Sequence, residues 1–485
     1  MSTSDAVVVG SGPNGLAAAL VLAKAGLAVE VLEGAPTPGG GCRTEALTLE
    51  GYRHDTCSTI QALATISPFF RAFDLAAHGV TLKVPEVAFA HPLDGGRAAA
   101  VAGSVAETGT SLGVDRRPYE RLMGPIVGHG GSIAHAALSP IRSLPRDAVG
   151  TARFGAIGAR SIEHVAARFE TPAARALFAG VGAHSMQPLS RALTGGFGLL
   201  LAMTAHAGGW PVVEGGSAGI VEALCAALDD AGASVRPGRW IRRLDELPAA
   251  RVVLLDTSPA GLLAIAGDEL APRARRAFGR FRYGPGVCKV DWALSGPVPW
   301  AAEPCRRTAT VHVGGTFEEV ARAEAEVAAG RHPEQPFCIV VQPSVVDPTR
   351  APAGHQTLWG YCHVPSGSPE DMTSRIEAQI ERFAPGFSDL VLARSTVTAA
   401  ELEGRNPNYV GGDVAGGAGT LRQTLFRPTL RWNNYRTGRR GLYLCSASTP
   451  PGGGVHGMCG VGAALTALRD LGIEQPAFLE EGRRC

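Results

Sequence analysis

Two short, wholly apolar runs punctuate the chain, Ala6–Val9 and Val252–Leu255. Runs of four without a polar partner on alternate positions predict parallel strands covered on both faces. A third run at 28–32 follows a helix-length apolar segment at 16–25. Longer strand patterns fall at 84–90, 97–101, 287–294, 308–313, 337–342 and 357–363. Apolar residues recur every three or four positions at 118–135, 161–167, 172–180, 220–231, 318–329, 374–383 and 461–471, which predicts amphipathic helices. No repeat or low-complexity segment interrupts this order.

The first strand, helix and second strand enclose Gly10, Gly12 and Gly15, spaced as G-x-G-x-x-G with Pro13 and Asn14 between the last two. Gly10 permits the tight turn, Gly12 the approach of a pyrophosphate, and Gly15 close packing of helix on strand. The helix start offers free N–H groups and the positive end of its dipole. Glu33 ends the second strand, placed to accept bonds from a ribose, and its charge repels a 2′-phosphate; FAD or NAD is favoured over NADP. A second glycine cluster, Gly39, Gly40 and Gly41, precedes Arg43, a residue suited to charge-assisted bonds with a pyrophosphate. A large flavin dinucleotide uses such an element. No second fingerprint opens a helix after Gly15, so a separate nicotinamide site is not expected.

Glycine-rich turns recur at 214–219 and at 450–457, each before a helix. The returning segments predict an α/β fold in which an interrupted Rossmann-type domain (1–73, 210–283 and 425–485) alternates with an α+β substrate domain (74–209 and 284–424). An apolar pocket at the junction of the two is expected, walled by Phe197, Met203 and Trp292 with Tyr361 and His363 as polar markers.

Composition narrows the functions. A chain of 485 residues with net charge +1 and no basic run is not built for nucleic acid. Ten cysteines occur without a C-x-x-C pair, so neither a zinc site nor a disulfide-reductase dithiol is expected, and no metal is assigned. The first strand starts almost at once and no run of 18 apolar residues occurs, which favours a cytoplasmic location. Phe69, Phe70 and Phe73 are the cluster available for peripheral membrane contact. A buried core helix is the plainer reading of it. Homo-oligomer formation is left open.

The N-terminal unit, the Gly39–Gly41 cluster with Arg43, Glu214-Gly215-Gly216 and the loop from Pro450 to Gly457 together resemble the flavin-dependent carotenoid and phytoene desaturase superfamily. So do Trp359 to Pro365 and Asn408 to Asp413, which look like its branch named for a pyridine nucleotide-disulphide oxidoreductase domain, in bacterial form. The resemblance spans essentially the whole chain. It implies noncovalent FAD in an amine oxidase/phytoene desaturase-like fold. Gly10, Gly12 and Gly15 then hold the pyrophosphate, Glu33 the ribose, and Gly40, Gly41 and Arg43 the phosphate and flavin side. Ile241 meets the adenine edge, and Gly453, Gly454, Val455 and His456 lie at the isoalloxazine. Ser446 departs from the family's usual glycine and suits the position if its φ is negative.

The expected activity is oxidation of a C–C or C–heteroatom single bond of an apolar small molecule, with hydride transfer to flavin N5 and oxygen or a quinone as electron acceptor. Glu214 and His456 are the candidate catalytic groups beside the ring. The competing readings are a redox-neutral polyene isomerase, an amine oxidase and a flavin-binding protein without turnover. A hydrolase reading rests on Gly215-Gly-Ser217-Ala-Gly219, which satisfies G-x-S-x-G.

Overall fold

A computed structural model describes residues 4–139, 147–431 and 433–481. Strands β1 (Ala6–Val9) and β2 (Val29–Leu32) flank helix α1 (Pro13–Lys24). Pro13 opens the helix at a position whose N–H has no intrahelical partner, and alanines and leucines carry it on. Strand β1 pairs in parallel with β2 on one side and Val252–Leu255 on the other; Leu442–Leu444 and Ser234–Arg236 complete a five-stranded parallel sheet. Helices Ala218–Asp230 and Met458–Leu471 pack against α1. The last crosses it so closely that a Cβ on Gly460 would run into the Asn14 carbonyl.

The second sheet has seven strands, in the order Val391–Val397, Gly286–Leu294, Gln356–Val364, Cys338–Val341, Thr310–Val313, Val87–Leu93 and Arg97–Ala102. Its pairs are antiparallel except where Val311 meets Ala90. Helices Pro172–Ala183 and Thr194–Ala207 share a core with one face, and Thr373–Phe383 with the other. Gly286–Leu294 is therefore buried at every position.

Two sequence expectations change, and the cluster at Phe69, Phe70 and Phe73 follows the plainer of its two readings. The helix at 118–135 is two helices, Arg116–Gly128 and Gly130–Ala137, broken at His129. Strand Val391–Val397 has no counterpart among the expected elements; its residues are mostly half-buried or exposed, so it lacks a continuous apolar signal. Phe69, Phe70 and Phe73 sit on a short helix and are at most 5% exposed, packed in the core around α1, so they form no surface patch. Among the described residues, no helix is long and apolar enough to cross a membrane.

Candidate functional site

A cavity of about 800 Å³ runs from the glycine turn after β1 to the second sheet. At the first end its lining includes Gly10, Gly12, Pro13, Asn14, Glu33, Gly40, Gly41, Arg43 and Ile241. The glycine spacing has visible causes. A Cβ on Gly15 would run into the Gly10 carbonyl, and one on Gly12 would stand 2.8 Å from Asp256 Oδ2. One on Gly40 would stand 3.1 Å from the Gly12 Cα, so the two glycine loops lie against each other. Gly15 itself does not face the cavity; it lets α1 approach the strand.

Glu33 binds these loops together. Its Oε2 accepts from the Ser11 N–H (2.9 Å) and the Ser11 hydroxyl (2.6 Å), and its Oε1 accepts from the Ala35 N–H (2.7 Å). Ser11 Oγ in turn accepts from the Gly39 N–H. Asp256 is a site residue that the sequence did not single out. Its carboxylate is 8% exposed and accepts the Gly15 N–H at 2.9 Å. Burial pushes its pKa up to about 7, against the opposing hydrogen bonds from Gly15 and Gly12. Asn408 clasps the same corner, accepting from the Ser258 N–H and donating to the Asp256 carbonyl.

This end fits a dinucleotide. Asn14 Oδ1 is buried without a protein partner. Arg43, Arg239 and Arg242 line the cavity with opposite charge to phosphate. Trp240 stands half exposed at its wall, packed on Gly34, where a Cβ would run into the ring.

The other end is lined by Leu201, Trp210, Ile339, Val341, Trp359 and Tyr361, with Lys289 and His184 among them. Lys289 is 4% exposed and donates to Asp291 at 2.5 Å; its ammonium lies 5.0 Å from the centre of the Trp359 ring. Trp359 and Tyr361 are stacked, ring centres 5.8 Å apart, and Trp359 Nε1 donates to Thr59. Burial raises the Tyr361 and Tyr409 hydroxyls, so both stay neutral.

Several expected site residues lie elsewhere. Glu214 is exposed and paired with Lys83 at 3.1 Å, outside the cavity lining and so away from its expected place. His456 is 1% exposed and turned inward: Nδ1 accepts from the Met458 N–H at 3.0 Å and Nε2 faces the Gly452 carbonyl at 3.1 Å. Both nitrogens are thus engaged in the loop that carries Gly454 and Val455 to the cavity, and burial lowers its pKa to about 4. It shapes the loop and is not placed as a base. Gly453 is also off the lining; a Cβ there would stand 2.5 Å from the Ala415 carbonyl.

Of the pocket residues, Phe197 is 45% exposed on the outer side of its helix. Met203 is fully buried in the helical core, while Leu201 of the same helix reaches the cavity. Trp292 faces away from it, in the core under helix Thr373–Phe383, with Nε1 donating to Glu377. His363 lies beside Tyr361 but outside the lining, bonded to Glu324 at 2.8 Å. Ser446 lines the cavity without a left-handed backbone. Ser217 is fully buried, its hydroxyl donating to Asp55 at 3.1 Å, and Asp55 is held by Arg350 at 3.0 Å. A nucleophile elbow exposes its serine; this one is sealed.

Known proteins agree with this architecture. Residues 8–78 match the family model of an NAD(P)-binding Rossmann-like domain. A rat protein named pyridine nucleotide-disulfide oxidoreductase domain-containing protein 2 is 26% identical, over 96% of this chain and 94% of its own length. The 4,4'-diapolycopen-4-al dehydrogenase of Metabacillus indicus is 28% identical over 53% of each chain. The crystal structure of an oxidoreductase from Methanosarcina mazei shares the fold with a TM-score of 0.65 at 16% identity, covering 96% of this chain and 99% of that one. The nucleotide-binding corner, the second sheet behind it and these likenesses together support an oxidoreductase of the kind represented by the pyridine nucleotide-disulfide oxidoreductase domain-containing proteins and the carotenoid desaturases, to which the chain is similar.

Proposed function

We propose that the protein is an FAD-dependent dehydrogenase of the desaturase kind, which oxidises a C–C or C–heteroatom single bond of a neutral, largely apolar small molecule. One observation carries the reading. The cavity that begins at the glycine loops continues to an apolar and aromatic wall, and the acids in its lining, Glu33 and Asp256, both belong to the nucleotide end. A cationic amine at the far end would meet Lys289 and no facing carboxylate, since Asp291 is already taken up by Lys289. An uncharged substrate incurs no such desolvation cost.

Bound FAD would supply the two-electron acceptor for a hydride leaving the substrate. The chain's own residues do the rest. Glu33, the glycine loops and Arg43 fix the nucleotide; Gly454 and Val455 bring the C-terminal loop to the cavity. Trp359, Tyr361, Ile339 and Val341 hold the substrate and exclude water. Lys289, donating to Asp291, sets a polar edge at this end of the cavity and orients the substrate against the aromatic wall.

The test is direct. Purified protein should be yellow and release FAD on denaturation at close to one per chain. Under anaerobic conditions its absorbance should bleach with neutral apolar alcohols, ketones or polyenes and not with alkylamines of equal length. A colourless protein that does not take up FAD, or one bleached by amines alone, would overturn the reading.

A further inference from the structure

The far wall carries a pair of imidazoles that the proposed chemistry does not use, His184 half-buried at the cavity and His312 fully buried behind it. His184 Nε2 and His312 Nε2 are 2.8 Å apart, so one carries the proton and the other accepts it. His312 is fully buried, and its Nδ1 has no partner. That nitrogen lies against Gly180, where a Cβ would stand 2.6 Å from it, and the ring is packed among Phe89, Trp210 and Phe337. An orphaned N–H is the rarer and costlier state than an orphaned acceptor. His312 therefore carries its hydrogen on Nε2 and donates to His184. Desolvation lowers the pKa of both rings, that of His184 to about 3, so both are neutral near pH 7. A neutral His184 that accepts at Nε2 must bear its hydrogen on Nδ1.

His184 lines the cavity, and its Nδ1 has no partner among the described residues. A second open group lines the same cavity. Thr310 precedes His312 by two positions on one strand, so the two share a face. Thr310 is 1% exposed, lines the same cavity, and its hydroxyl is buried without a partner. Two polar groups without a protein partner in a largely apolar wall mark the place where a ligand atom completes the bonding.

We propose that the His184 Nδ1–H and the Thr310 hydroxyl together recognise a neutral oxygen, of carbonyl or hydroxyl type, on the apolar substrate, with His312 as the positioning residue that fixes the His184 tautomer. This rests on the reading of the cavity's far end as the substrate site, and it narrows the substrate to an oxygenated apolar molecule.

The full-length protein should be titrated by calorimetry with 2-octanone and with 2-methyl-1-octene, which replaces the carbonyl oxygen by CH₂. The ketone should bind about five- to ten-fold more tightly, the worth of one or two neutral hydrogen bonds. His184→Phe and Thr310→Val should each shrink that ratio while flavin content is unchanged. Nitrogen-15 NMR of the wild type should show His184 protonated on Nδ1 and His312 on Nε2, and His312→Phe should leave His184 as a mixture of tautomers. Equal affinity for the two probes, a ratio that survives both substitutions, or a His184 protonated on Nε2 would each overturn the inference. The flavin reading fails separately: a protein without FAD that still prefers the ketone upholds the oxygen site, and a yellow protein without the preference refutes it.

Discussion

The Asp256 carboxylate accepts the Gly15 amide at 2.9 Å across 241 positions of chain. It thereby supplies an N-terminal partner to α1 from a different strand, in the corner where a dinucleotide phosphate would approach. The parallel pairing of Val9 with Leu255 puts it there.

Asp256 should make stability depend on pH in an identifiable way. Its folded pKa, about 7, lies above the ordinary 3.8, so the folded state holds the proton more tightly than the unfolded one. The stability this contributes is present below pH 3.8 and is lost as the pH rises through 7. Asp256→Asn keeps an acceptor for Gly15 and removes the titration. Its unfolding free energy relative to the wild type should therefore rise as the pH is raised from 4 to 7.5, by an amount on the order of a few kcal/mol in the apoprotein, with Tm moving the same way. A difference independent of pH would refute this.

Glu33→Gln should weaken FAD binding. The substitution leaves the Ser11 and Ala35 donors facing a neutral amide and removes the charge offered to a ribose. A loss of about 2 kcal/mol, typical of a charged hydrogen bond, is expected on reconstituting the apoprotein with FAD. Unchanged affinity would mean that Glu33 serves the loop alone.

Gly15→Ala should be severe even without cofactor, because the new methyl group collides with the backbone carbonyl of Gly10. A loss of about 3 kcal/mol in urea unfolding is expected, at the upper end for overpacking. Gly26→Ala, just past the end of α1, meets open space around its Cβ and should cost only about 1–2 kcal/mol, through its left-handed backbone alone.

Lys289→Met should leave Asp291 buried without its cation, at a cost of about 3–5 kcal/mol. Lys289→Met with Asp291→Asn should recover most of that loss. Thermal unfolding of these two variants and of Asp291→Asn alone checks it as a double-mutant cycle.

His456→Phe should lower flavin retention by loosening the loop that carries Gly454, since the Met458 N–H loses its acceptor and the Gly452 carbonyl one of its two donors. Turnover in the His456→Gln variant should keep the wild-type pH profile between pH 5.5 and 8, because an imidazole with a pKa near 4 is already neutral there. A lost ionisation in that range would restore His456 as a base.

The sequence by itself determined the nucleotide corner. Gly10, Gly12, Gly15, Gly40 and Glu33 act through backbone turns and close approaches, which local spacing encodes. It also determined the strand and helix types wherever apolar periodicity was strong. The pocket wall was decided by tertiary structure. In Gly286–Leu294, alternation puts Val287 and Lys289 on one face and Trp292 on the other, but both faces are buried, so the pattern does not say which one meets the cavity. Leu201 and Met203 differ in the same way on a helix that is apolar nearly all round. Tyr361 and His363 share a strand face, yet Glu324 engages His363 and the cavity ends before it. Asp256 and the His184–His312 pair come together only through contacts 241 and 128 positions apart. Such contacts depend on how sheets and helices stack, and no local pattern in the chain records them.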